Sequence, residues 1–206
     1  MPDHFGSKLL AFPVFGGSPV SGLSDEDLVR RIREEGEECT GPWDELIRRY
    51  YSTAWHFARG RVGDCDLALD IVQAAFLRAV RALDSFDANR SFASWFYTIV
   101  RNLCADAKRE RFRQQTMLEG LAKASSSLAA SSPAQARETG DLDALLAALS
   151  TDEREALICR HLHGMTAVEA GRVLGVSAEA AKKRAQRALD KLRQFVSRNE
   201  AICRIS

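Results

Sequence analysis

Apolar residues recur every three to four positions along most of the chain, with polar residues between them, and no segment alternates with the period of a strand. The pattern predicts an all-α protein. Ser24-Asp25-Glu26-Asp27 reads as a capping box that opens a first helix. Pro42 suits the first turn of a second, in which Trp43, Leu46, Ile47, Tyr50, Ala54, Phe57 and Ala58 share a face. Asp64 or Asp66 starts a third, with Ala68, Ile71, Val72, Ala75, Phe76, Ala79, Val80 and Leu83 as its stripe. Residues 84–90 read as a loop. Ser91 caps a fourth helix carrying Phe92, Trp95, Phe96, Ile99, Val100, Leu103 and Cys104, the strongest amphipathic signal in the chain. Tyr97 and Asn102 lie off that stripe and are expected to stay free for polar contacts.

The pattern then fades. Residues 114–140 are rich in Ser, Ala and Gln and read as a flexible linker with a helical first part. Beyond it, Leu142, Leu145, Leu146 and Leu149 mark a short helix. Ser150-x-x-Glu153 caps the next, which carries Leu157, Ile158 and Leu162 inward and ends at Gly164. Thr166-x-x-Glu169 caps a third, and Ser177 a fourth with Ala181, Ala185, Ala188, Leu189, Leu192 and Phe195 on its inner face. Two small helical domains follow, at 24–113 and 141–197, joined by the linker and flanked by tails at 1–23 and 198–206.

Composition narrows the class. Of 206 residues, 46% are hydrophobic and 28% charged, as in a soluble globular protein. No apolar run is long enough for a bilayer, so membrane insertion is not expected. Asp3, His4 and Pro13 interrupt what would have to be a secretory signal. Five scattered cysteines without a C-x-x-C fit a reducing cytoplasm better than a disulfide framework or a zinc ribbon. Cys159 and His163 stand one helical turn apart, but further ligands are missing, so neither metal nor cofactor is expected; a buried thiol and surface histidines are the simpler reading. Ser-His-Asp, P-loop and G-x-G-x-x-G patterns are absent, which argues against an enzyme.

The net charge of +1 hides strong segregation. Nine acidic and three basic residues lie between Ser24 and Ile47. Five basic residues (Arg101, Lys108, Arg109, Arg111, Arg113) face two acidic ones between 101 and 113, and six face one between Lys182 and Arg193. Two separate basic segments point to two contacts with a polyanion. The second belongs to a helix-turn-helix: small residues (Ala167, Ala170, Gly171), a tight Gly175-Val176-Ser177 turn, then a capped helix presenting Lys182, Lys183, Gln186 and Arg187. Arg and Lys suit guanine acceptors, Gln suits adenine, and the major groove admits a helix.

Residues 70–79 (DIVQAAFLRA), Phe86-Asp87 and 91–102 (SFASWFYTIVRN) resemble regions 2.2 to 2.4 of bacterial sigma factors of the extracytoplasmic-function group. Gly164 to Leu192 resembles their region 4.2. The resemblance implies a transcription initiation factor that binds core RNA polymerase and promoter DNA. By position, Asp70, Gln73, Phe76 and Leu77 match the polymerase-binding segment. Ser85, Phe86, Asp87, Asn89, Arg90 and Ser91, with Asn102, match the part that captures a flipped base of the −10 element, while Arg101, Lys108 and Arg109 match phosphate contacts beside it. Ser177, Glu179, Lys182, Lys183, Gln186 and Arg187 match the −35 contacts, with Arg184 on phosphate. An anti-sigma protein is a further partner the family implies. Two positions depart from the family pattern: Ala74-Ala75 replaces an acidic residue and Thr, and Glu179-Ala180-Ala181 replaces Gly-Thr-Val. The competing expectations are an autonomous helix-turn-helix regulator and a sigma-like decoy for an anti-sigma protein.

Overall fold

The computed structural model describes residues 20, 22–35, 40–87, 90–122, 146 and 149–203, and the described residues are helices joined by turns and short loops, with no strand among them. Leu142, Leu145, Asn89, the N-terminal tail before residue 20 and residues 123–140 of the linker lie outside the described residues.

The first four helices form a bundle. α1 (Asp25–Glu35) starts where the Ser24 hydroxyl accepts the Asp27 amide at 3.1 Å, and it buries Leu28, Val29 and Ile32. α2 (Thr40–Val62) carries Pro42 in its first turn, where a missing N–H is harmless. α3 (Cys65–Ala82) is capped by Asp64, which accepts the Asp66 and Leu67 amides. A short 3₁₀ turn (Leu83–Ser85) leads toward α4 (Phe92–Ala122). The core is aromatic. Tyr50 meets Phe92 and Phe96 edge-on at 5.3 and 5.4 Å, and Phe76 meets Phe96 at 4.8 Å.

α4 is longer than its apolar stripe. Past Ala107 its side chains to residue 117 are exposed, and it is held by local pairs one turn apart: Arg109–Asp106, Arg113–Glu110 and Gln114–Glu110. The helix thus consumes the first residues of the expected linker.

The second half begins at α5 (Thr151–Leu157). Ser150 and Glu153 form a reciprocal capping box, and Arg154 ties the entering chain down through the Leu146 and Leu149 carbonyls. α5 continues as a wider π turn (Ile158–Leu162), which rotates Leu162 outward to 46% exposure, against the expectation that it faces the core. α6 (Ala167–Leu174) opens with a second capping box, Thr166 with Glu169. α7 (Ala178–Cys203) starts at Ser177, whose hydroxyl accepts the Ala180 amide at 3.2 Å.

The halves do not sit apart. α2 packs against α5 and α4 against α6, and Ala156, Ile158, Cys159, Met165 and Val173 join one continuous apolar core with α1–α4. A smaller cluster of Leu146, Leu149, Leu157 and Ala188 seals the far side.

Candidate nucleic-acid interface

The helix-turn-helix is α6, its turn and the first half of α7. Gly175 takes the left-handed conformation (φ 71°, ψ 35°) that ends α6, and the Val176 amide closes back on the Gly171 carbonyl at 2.9 Å. Gly171 is needed for a different reason. A Cβ there would lie 2.8 Å from the Val176 carbonyl oxygen and 3.1 Å from the Ala178 nitrogen, both backbone atoms. Small residues therefore let the two helices cross closely and fix the angle at which α7 leaves.

On α7, Glu179, Lys182, Lys183, Gln186 and Arg187 are all exposed on one face. Lys183 approaches Glu179 at 3.8 Å, so Glu179 is tethered one turn below a cation. Gln186 donates to Asp190 at 3.1 Å. Arg184 is placed otherwise than expected: it is three-quarters covered and pairs with Asp152 of α5 at 2.9 Å, clamping α7 to the body. The Ser177 hydroxyl serves the cap.

The second set surrounds the loop between α3 and α4. Phe86 is buried against Trp95 at 5.0 Å and Phe92 at 5.9 Å, so it supports the loop rather than facing outward. Ser85 donates to the Ala82 carbonyl, and Ser91 accepts the Ser94 amide. Asp87, Arg90 and Asn102 are exposed, with Arg90 3.4 Å from Asp87. Arg33 of α1 organises this loop, donating to the carbonyls of Leu83, Asp84 and Phe86 with its guanidinium over the Phe86 ring. Sequence reasoning missed Arg33, because nothing local ties an α1 cation to a loop fifty residues away. Lys108 and Arg109 are exposed on α4.

Of the polymerase-facing candidates on α3, Asp70 is exposed and Gln73 and Leu77 are half-buried. Phe76 is 2% exposed and belongs to the aromatic core, so its side chain is not on that surface. Asp70 borders an open groove of about 410 Å³, floored by Ile71, Ala74, Leu103 and Ala107 and edged by Asp106, Glu110 and Arg113, the last paired with Glu110 at 3.1 Å. The groove is apolar in the middle and mainly acidic at the rim.

Two further side chains depart from expectation. Tyr97 is fully buried, and its hydroxyl donates to Thr53 Oγ1 at 2.9 Å. His163 is not a surface histidine. It stacks on Tyr50 (4.4 Å, 13°), and its Nε2 lies 2.9 Å from Thr53 Oγ1 and 3.0 Å from the Tyr97 hydroxyl. Burial lowers its pKa to about 4, a fall that Asp25 opposes only partly. Burial pushes the Cys104 thiol up to about 11 and the Cys159 thiol up as well, so both stay protonated. Among the described residues no group of three or more His, Cys, Asp or Glu could hold a metal, and no helix is long and apolar enough to cross a membrane.

The two halves coincide with two family matches: sigma-70 region 2 over residues 46–114 and sigma-70 region 4 over residues 145–194. The ECF RNA polymerase sigma factor EcfG of Rhodopseudomonas palustris (strain TIE-1) is 33% identical over 141 residues, covering 66% of this chain and 75% of that protein. The ECF RNA polymerase sigma factor SigE of Mycolicibacterium smegmatis is 27% identical over 173 residues; the match covers 81% of this chain and 66% of that longer protein. Among solved structures, the sigma factor RpoE in complex with the anti-sigma factor NepR from Bartonella quintana is similar with a TM-score of 0.51 at 28% identity, over 74% of this chain and 94% of that one.

Proposed function

This chain belongs to the extracytoplasmic-function group of sigma-70 RNA polymerase sigma factors, the factors that direct polymerase to promoters, and we propose that it reads two promoter elements with two separate surfaces. One observation carries the reading: the α7 face with Lys182, Lys183, Gln186 and Arg187 is exposed beyond a glycine-set turn, as a helix entering a major groove must be. Glu179 joins that face as an acceptor for a cytosine amino group. The Ser177-capped start of α7 suits a phosphate. Arg184 contributes through its clamp on Asp152, which sets the pitch of the reading helix.

The −10 surface comprises Asp87, Asn89, Arg90 and Asn102 around the α3–α4 loop, with Phe86, Ser85 and Ser91 shaping it from beneath. Extruding a base costs a few kcal/mol, and Arg101, Lys108 and Arg109 supply cations that offset part of it. Core polymerase binds the outer side of α3 through Asp70, Gln73 and Leu77, beside the groove that Asp70 borders, with Phe76 holding α3 in place from the core. Such a factor works where polymerase works, in the cytoplasm, as a binding subunit without chemistry of its own. By its likeness to the Bartonella factor, the chain also has an anti-sigma protein as partner.

Run-off transcription with core polymerase on a genomic fragment library tests the reading. Core-dependent transcripts sharing two spaced elements are expected. Lys182→Glu with Arg187→Glu is expected to abolish selection of the upstream element, each lost base contact being worth about 1–3 kcal/mol, while core binding persists in a pull-down. Failure of the folded wild-type chain to bind core would sink it.

A further inference from the structure

A cavity of about 270 Å³ lies between the last turn of α2 and the start of α5, and it shares no lining residue with the promoter and polymerase surfaces. Its wall is cationic. Arg59 reaches it from α2 and Arg154 from α5, and His56 is buried beside them. The Thr151 hydroxyl and the Gly60 carbonyl, joined at 3.1 Å, complete the polar lining. No carboxylate is among the described residues that line it. Arg154 donates from Nε to the Leu146 carbonyl at 2.9 Å and from Nη2 to the Leu149 carbonyl at 3.3 Å, both uncharged acceptors. Its Nη1 lies over Gly60, 3.5 Å from where a Cβ would stand. Arg59 lies over the Trp55 ring at 5.1 Å, and its guanidinium makes no hydrogen bond or ion pair with the described residues.

The carboxylates of α5 are paired elsewhere: Asp152 with Arg184 at 2.9 Å, Glu153 with Lys191 at 2.8 Å and Glu155 with Arg61 at 2.6 Å. Burial, and after it the Arg59 charge, lower the Arg154 pKa, while Glu155 offsets part of the fall. Arginine nevertheless stays protonated. Two like charges are therefore held together at a cavity that contains no counter-charge, and an anion between them would relieve their repulsion. We propose that this cavity binds a phosphate-class anion, gripped by the guanidiniums of Arg59 and Arg154. Planar guanidinium forks match phosphate oxygens, and such charge-assisted hydrogen bonds are the strong ones. Gly60 makes the room, since a methyl group there would meet Thr151 Cγ2 at 3.3 Å and Arg154 Nη1 at 3.5 Å. Small-molecule pockets usually measure about 300–1,000 Å³, so this smaller space suits a phosphate or diphosphate group, with the remainder of a nucleotide left outside. Inorganic phosphate and the phosphates of a nucleotide share that chemistry. The site stands independently of the promoter reading.

Isothermal titration calorimetry of the full chain with orthophosphate, pyrophosphate and ATP tests this. Saturable binding at one site per chain is expected, with a melting temperature that rises with ligand concentration. Arg59→Gln breaks no hydrogen bond of the fold and is expected to weaken binding about tenfold or more, a hydrogen bond to a charged group being lost. Arg30→Gln removes the same charge from α1, where Arg30 pairs with Asp27 in the open, and is expected to leave binding unchanged. Gly60→Ala favours the helix yet fills the cradle, so it should weaken binding with both arginines in place. Pyrophosphate binding as tightly as ATP would assign the site to the inorganic anion, and tighter ATP binding would assign it to the phosphates of a nucleotide. The proposal fails if none of the three binds saturably. It fails equally if Arg59→Gln binds as the wild type does, or if Arg30→Gln weakens binding as much, which would mark a general attraction of anions to basic surface.

Discussion

His163 is neutral in its seat, and that makes docking sensitive to pH. Tyr50 and Thr53 of α2 and Tyr97 of α4 face the ring, and Asp25 of α1 reaches the seat through its hydrogen bond from the Tyr50 hydroxyl. None of these supplies a charge strong enough to hold an imidazolium against burial, hence the pKa of about 4. The docked value lies below the ordinary histidine value of 6.5, so the contribution to docking is complete above about pH 6.5 and is lost as pH falls toward 4. At pH 5 the loss amounts to roughly 2 kcal/mol. Interdomain distance, followed by fluorescence transfer between pH 7.5 and 5, should therefore show opening, and His163→Phe, which keeps the stack without titrating, should flatten the response. An opening curve unchanged in His163→Phe would assign the effect to another group. The same residue shows why single positions were hard to read. Tyr97 and His163 look polar and free along their own segments, because what buries them is distant in sequence: α2 packs over Tyr97, and Tyr50, Thr53 and Tyr97 of the first half receive His163.

Elements with a local cause were legible. Asp64, Ser91, Ser150, Thr166 and Ser177 all cap helices where their side-chain chemistry says they should, and Gly175 ends α6 through its positive φ. Elements held by weaker or distant causes were legible in part or not at all. The second half of α4 has no buried stripe and read only as a helical first part of the linker; ion pairs and good helix formers carry it to Ala122. The π turn after α5 has no compositional mark, since the packing of Ile158 and Cys159 into a core shared with the first half accompanies it. The crossing of α6 and α7 depends on one residue, and this yields a prediction. Gly171→Val would drive a branched side chain into backbone at 2.8–3.1 Å, and backbone cannot move aside as a flexible side chain would. Overpacking of this kind costs about 1–3 kcal/mol. Calorimetry should show that loss, and binding of duplex carrying the upstream element should drop with it, whereas core binding through α3 and α4 should hold. Retained duplex affinity would mean that the helix crossing tolerates more separation than Gly171 implies.

For the molecule as a whole, the order of the two halves could be read along the chain, but their docking could not. Docking joins α2 to α5 and α4 to α6 across the linker, and no local period encodes a contact between residues a hundred positions apart, such as Thr53 and His163.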